Sequence, residues 1–157
     1  MSESQKLPTV DQIDAAKKLY MHEKMEYWRL EDTILTELRE KDPNPSLTDP
    51  QRTLIKTTLV NSFYNARCPD VEKVTSWIVA QKPNLLAKYR NIGSNDDIER
   101  INLVCNIAAH GRNTDSIVFA SKFAHFFIDP DVFPIYDQYA RMLVHFHIDT
   151  KSLTTFY

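Results

Sequence analysis

Residue types able to do chemistry together stand in Phe119-Ala120-Ser121-Lys122-Phe123-Ala124-His125-Phe126-Phe127 and in the following Asp129-Pro130-Asp131-Val132-Phe133-Pro134-Ile135-Tyr136-Asp137. A lysine inside an aromatic, nearly all-apolar helix either snorkels out to water or lies in a cleft with a partner, because burying an unpaired ammonium is prohibitively costly. The partner to expect is Asp137. That carboxylate falls in the first turn of the next helix, where orphan amides and the helix dipole favour negative charge, and a two-proline loop stiffens its approach. Helix, rigid turn and second helix can bring both side chains to one point. An amine against a carboxylate can stabilise charge or move a proton; the same pair can also be only a helix-to-helix ion pair that fixes the Pro-Ile-Tyr-Asp turn.

Other reactive types are more scattered. Histidines 110, 125, 145 and 147 suggest a metal, but His145 and His147, two apart, point to different sides of a helix instead of forming the i, i+4 pair of helical zinc ligands. No metal and no cofactor are expected. Cys105 reads as a small core residue on the apolar face of its helix, and Cys68, beside Pro69, as a turn residue. Asn61, Tyr64 and Asn65 recur on one side of an apolar helix, where they either line the cleft of Lys122 or satisfy helix ends. Arg67, Lys73, Lys82, Lys88 and Arg90 can contact phosphates only if they share a face; otherwise they are dispersed surface charge.

The elements that must position these groups follow from periodicity and punctuation. Helical spacing runs from Val10 to Lys41, as one helix or two joined near His22, and Asp42-Pro43-Asn44-Pro45 ends it. Asp49-Pro50 is a cap followed by proline at the first helical position, opening a helix whose apolar register is Leu54, Ile55, Leu59, Ser62, Phe63 and Ala66. Asp70 caps a helix with Val71, Val74, Trp77 and Ile78. A short piece with Leu85, Leu86 and Tyr89 runs to Gly93, which fits a terminal left-handed position, and Ser94-Asn95-Asp96-Asp97 opens a helix with Ile98, Ile101, Val104, Cys105 and Ala108 that Gly111 closes. From Thr114 to Ile128, apolar residues cover most of the circumference, which predicts a central helix buried on several sides. Ile135, Tyr139, Met142, Leu143 and Phe146 define the last helix.

Composition agrees with a helical reading. The 157 residues suffice for one domain with its own core, and only two glycines occur, too few for glycine loops that cradle phosphate or for the many tight turns of an all-β fold. We expect a single all-α domain over residues 1–157, of six or seven helices. Two cysteines and no leader or membrane-length apolar run place it in the cytoplasm, with no membrane partner. The net charge of −2 offers no overall attraction to nucleic acid, although residues 51–125 carry ten Lys/Arg against six Asp/Glu.

Over about residues 111–146, Lys122-Phe123-Ala124 and Phe133-Pro134-Ile135-Tyr136-Asp137 resemble the catalytic lysine and aspartate segments of the helix-hairpin-helix DNA glycosylase superfamily. That family's glycine-rich phosphate-binding turn has no glycine in the corresponding Asn113-Thr114-Asp115-Ser116. The resemblance implies a glycosylase-like helical fold with DNA as partner. Lys122 would attack the anomeric carbon as a free amine, and Asp137 would orient water or stabilise positive charge on the sugar. Tyr136, Phe126, Tyr139 or Trp77 would stack on an extruded base, with Asn61 and Asn65 as further contacts. Leu59-Val60-Asn61-Ser62-Phe63-Tyr64-Asn65 and Phe119 to Asp137 also look like a bacterial family of uncharacterised proteins, a likeness that covers most of the chain and implies no activity. The rival expectation is a non-enzymatic helical module that holds a protein partner, or a second copy of itself, through Tyr20, Tyr27, Trp28 and Phe156-Tyr157.

Overall fold

The computed structural model describes residues 9–22, 25–41, 49–81, 97–111, 116–137, 140 and 142. Among them every regular element is helical, and six helices are formed. The expected Leu85–Tyr89 piece, Gly93, the cap at residues 94–96 and most of the last helix lie outside the described residues. The chain divides into two compact units, one of residues 1–30 with 136–157 and one of residues 31–135.

In the first unit, α1 (Val10–Tyr20) opens on a reciprocal cap: the Gln12 amide donates to the Thr9 hydroxyl at 3.3 Å and the Thr9 amide donates to Gln12 Oε1 at 2.9 Å. None of its residues is buried. Of the two alternatives, two helices form, with the join near His22, where Arg29 donates from Nη1 to the carbonyls of Tyr20 (2.5 Å) and His22 (2.9 Å). These are carbonyls that a helix end leaves without intrahelical partners. α2 (Glu26–Glu40) then carries the chain into the second unit.

The second unit contains α3 (Pro50–Phe63), α4 (Val71–Gln81), α5 (Asp97–His110) and α6 (Ser116–Phe127). Two of the expected caps form. The Asp49 carboxylate accepts from the amides of Gln51 (3.0 Å) and Arg52 (3.2 Å), and the Asp70 carboxylate accepts from Lys73 at 3.1 Å. The helices pack in a closed cycle, α3 on α4, α4 on α5, α5 on α6 and α6 on α3. Phe119, Phe123, Leu35, Ile78, Leu103, Ile107, Val60 and Val74 fill the centre. Nine of the twelve residues of α6 are buried, so it is the central helix that its all-round apolar pattern requires.

Two faces differ from the sequence reading. α3 turns Thr53, Lys56, Thr57 and Val60 inward and leaves Leu54 and Ile55 exposed, although Leu54 and Ile55 belong to its apolar register. The buried hydroxyls are satisfied internally. Thr57 Oγ1 bonds to the carbonyls of Thr53 and Leu54, both at 3.0 Å, and lies 2.7 Å from Thr75 Oγ1 on α4, which itself donates to the Val71 carbonyl. Threonines paired in this way bury methyl groups without an unmet polar atom. α5 likewise buries Leu103, Ile107 and Ala108 and exposes Ile98 and Ile101, and Cys105, expected in the core, is exposed. This helix carries two apolar stripes, and its neighbours α4 and α6 select one.

Gly111 closes α5 as expected, and it does so without a positive φ. Its need is steric. A Cβ on Gly111 would lie 2.3 Å from Ser116 Oγ, 2.7 Å from Ser116 Cβ and 3.1 Å from Cys68 Sγ.

Candidate functional site

Lys122, the fourth residue of the Phe119–Phe127 run, is only 6 % exposed. Its Nζ lies 4.1 Å from the centroid of the Tyr64 ring, and that ring stacks on Phe126 at 5.6 Å. Phe126 follows Lys122 by one helical turn, so a single face of α6 presents both the cation and the ring behind its partner. The Tyr64 hydroxyl donates to the Asp32 carboxylate of α2. Glu31, beside Asp32, feels the charge of Lys122. Burial pushes the Glu31 carboxyl up and the Asp32 charge adds to that, while the Lys122 ammonium opposes it. An ammonium is thus held over an aromatic face beside two carboxylates.

The position of Tyr64 depends on the loop that follows it. Tyr64 caps α3, and Asn65 (φ 44°) and Arg67 (φ 51°) both take left-handed backbone conformations. Asparagine tolerates this region, whereas arginine is strained in it. The strain is held by Asn61: its Nδ2 donates to the Cys68 carbonyl at 3.1 Å, and its Oδ1 accepts from the Cys68 amide at 2.9 Å. Asn61 therefore closes a loop from within α3, and Asn65 is exposed at the turn. The Asp-Pro-Asp turn after α6 is closed by the Phe133 amide donating to the Asp129 carbonyl at 3.0 Å. His125 Nδ1 donates to the Phe133 carbonyl at 2.8 Å, and Phe133 is buried.

Trp77, half-buried, stacks on His110 with centroids 4.7 Å apart, so within this unit its ring partner is a histidine of α5. Tyr136 and Asp137 belong to the first unit. There Asp137 Oδ1 accepts from the Ala140 amide at 2.9 Å, the bond expected of a carboxylate at the start of a helix. Tyr139 lies outside the described residues, as do His145, His147, Lys82, Lys88, Arg90 and Phe156-Tyr157. Among the described residues no group of three or more His, Cys, Asp and Glu side chains is placed to hold a metal ion, and no helix is long and apolar enough to cross a membrane.

Glu31 and Asp32 are the parts of this site that sequence reasoning passed over. A sign of them was present: Asp32 precedes the fully buried Leu35 by one turn, and an acid on the buried stripe of a helix requires a donor or cation on the facing element. Cys68, read as a turn residue, is buried as well. Burial pushes its thiol up, against the Asp70 backbone and the Ser116 hydroxyl, which favour thiolate.

No curated protein and no solved structure gives a significant match to the chain. A family model does match, over residues 12–132, a span that contains Glu31, Asp32, Tyr64, Lys122 and Phe126 and stops short of Asp137. Its description names a domain and no activity. The match takes in more than half of the chain, and the chain therefore belongs to the HI_0787 N-terminal domain family.

Proposed function

We propose that this protein binds DNA and acts on it as an N-glycosylase-like enzyme, with Lys122 as the nucleophile and Asp137 as the carboxylate that supports the developing positive charge. The observation that carries the reading is the withdrawal of Lys122 from water to 6 % exposure, against an aromatic ring and beside a carboxyl whose pKa burial has raised. Attack requires the free amine, and Glu31, which feels the Lys122 charge, is the base that takes the ammonium proton. In the reaction, Lys122 Nζ forms a bond to the anomeric carbon while the bond from that carbon to the base breaks, its electron pair leaving with the base, which takes up a proton. Opening of the sugar ring gives an iminium that borohydride reduces to a stable amine.

The test uses duplexes carrying a range of base lesions, with borohydride present. A covalent protein–DNA adduct is expected from the wild type, none from Lys122→Ala or Lys122→Arg, and a weakened one from Asp137→Asn. An adduct undiminished in Lys122→Ala refutes the assignment. A second reading is favoured by the Tyr64–Asp32 hydrogen bond, which completes the surroundings of Lys122 inside one unit. In that reading the cluster is a structural cation site in a non-enzymatic interaction module. Absence of any adduct, together with loss of stability in Lys122→Ala, supports it.

A further inference from the structure

A base that departs from an anomeric carbon takes up a proton, and the groups beside Lys122 are committed elsewhere. The Tyr64 hydroxyl donates to Asp32, and Glu31 receives the proton of Lys122 in the proposed chemistry. His125 stands one turn after Lys122 on α6, and that chemistry gives it no part. Its Nδ1 donates to the Phe133 carbonyl at 2.8 Å, and Phe133 is buried, so the acceptor is anchored by the core. A carbonyl only accepts, so Nδ1 carries a hydrogen whether the ring is neutral or charged. Nε2 has no hydrogen-bond partner among the described residues, and the residue is half-buried, not sealed.

The ring is fixed a second time by Phe126, which it meets edge to face with centroids 5.0 Å apart and planes at 89°. Phe126 is also the ring on which Tyr64 stacks under the Lys122 ammonium, so the four side chains form one contiguous group within the second unit. Helical residues three apart have Cβ atoms about 5–6 Å from one another, a span comparable to that between the anomeric carbon of a nucleoside and the acceptor atoms of its base. His110 is the contrast. Its Nδ1 also lies on a backbone carbonyl, that of Asn106 at 2.7 Å, but its ring stacks on Trp77, outside this group.

We infer that His125 is a further catalytic residue of the proposed reaction, the imidazolium that donates its Nε2 proton to the departing base. This role rests on the reading of Lys122 as the nucleophile. As the bond from the anomeric carbon to the base breaks, the electron pair that leaves with the base takes the proton. The Nε2–H pair stays on the ring, and the neutral imidazole keeps its Nδ1 hydrogen on the Phe133 carbonyl. Histidine suits the task because it exchanges its proton near neutral pH.

The test variant is His125→Asn, whose shorter amide retains a donor for the Phe133 carbonyl and places nothing at Nε2. His125→Gln, which also lacks an acid, is the second variant, and circular dichroism checks the fold of each. Two kinds of probe are trapped with borohydride: the lesion duplexes, where a base must leave, and an abasic duplex, whose sugar offers Lys122 an aldehyde with no base to expel. Each folded variant should trap the lesion duplexes about 10²–10⁴-fold more slowly than the wild type, the range of general acid catalysis, and the abasic duplex at the wild-type rate. Lys122→Ala should trap neither. Wild-type trapping of both probes by a folded variant overturns the role of His125 and leaves that of Lys122 standing. Equal slowing on both makes His125 a structural support and overturns it as well, as does a wild type that traps the abasic duplex and no lesion duplex. A wild type that traps neither overturns the reading of Lys122 and this role with it.

Discussion

Gly111→Ala opposes two effects of known sign, and the structure says which wins. Because the φ of Gly111 is not positive, alanine is allowed there by backbone geometry, and the loss of freedom in the unfolded chain alone would stabilise the fold by about 0.4–1 kcal/mol. Against this stands the space. The added methyl would lie 2.3 Å from Ser116 Oγ and 2.7 Å from Ser116 Cβ, and the second atom sits too close to the main chain to swing away. The start of α6 must shift, and α6 is the central helix. Overpacking of this kind costs typically about 1–3 kcal/mol, and contacts this short belong at the upper end. The net expectation is a loss of about 2 kcal/mol, a fall in Tm of roughly 4–8 °C for a chain of this length. Thermal and urea unfolding by circular dichroism measure it. Ser116→Gly in the same chain removes both clashing atoms and should restore much of the loss, a coupling that a double-mutant cycle isolates. A Gly111→Ala protein as stable as the wild type would refute the close approach of α5 and α6 at this point.

Tyr64→Phe keeps the ring over which Lys122 lies and removes only the donor to Asp32, so urea unfolding should show a loss of about 1.5 kcal/mol, the low end for a hydrogen bond to a charged group; no loss would mean that the hydroxyl does not hold Asp32. Alkylation of the native protein should modify Cys105 quickly, while Cys68, buried and with its thiol pushed up, should react only as the chain unfolds; a native protein with two fast thiols contradicts this placement. Glu31 has a folded pKa raised above 4.5, so the folded state holds its proton more firmly than the unfolded one. Its contribution is therefore present below 4.5 and lost as pH rises through the folded value. Between about pH 4 and about pH 7, the wild type should lose stability relative to Glu31→Gln, and parallel profiles would show Glu31 to be unperturbed.

Local structure was legible wherever one residue suffices to dictate it. Asp49-Pro50 starts α3 and Asp70 starts α4 because a carboxylate accepts orphan amides without help from the rest of the chain. The Asp137 carboxylate accepts from Ala140 for the same reason. The burial of α6 was legible too, since residues apolar all round leave no face for water. What the chain alone left undecided is which side of an ambiguous helix turns inward. On α3 the apolar stripe and the threonine stripe compete, and the hydroxyl of Thr75, eighteen residues on and on another helix, makes the threonine stripe burial-competent. The packing of α4 and α6 against α5 makes the same choice for that helix and puts Cys105 outside. The Lys122 cluster follows this rule at longer range. An aromatic helix dictates by itself that its lysine needs partners, but Tyr64, Glu31 and Asp32 lie on two other helices, and only tertiary packing brings their charges and ring to the amine. Desolvation, the term that makes such partners necessary, depends on the fold and not on neighbours along the chain.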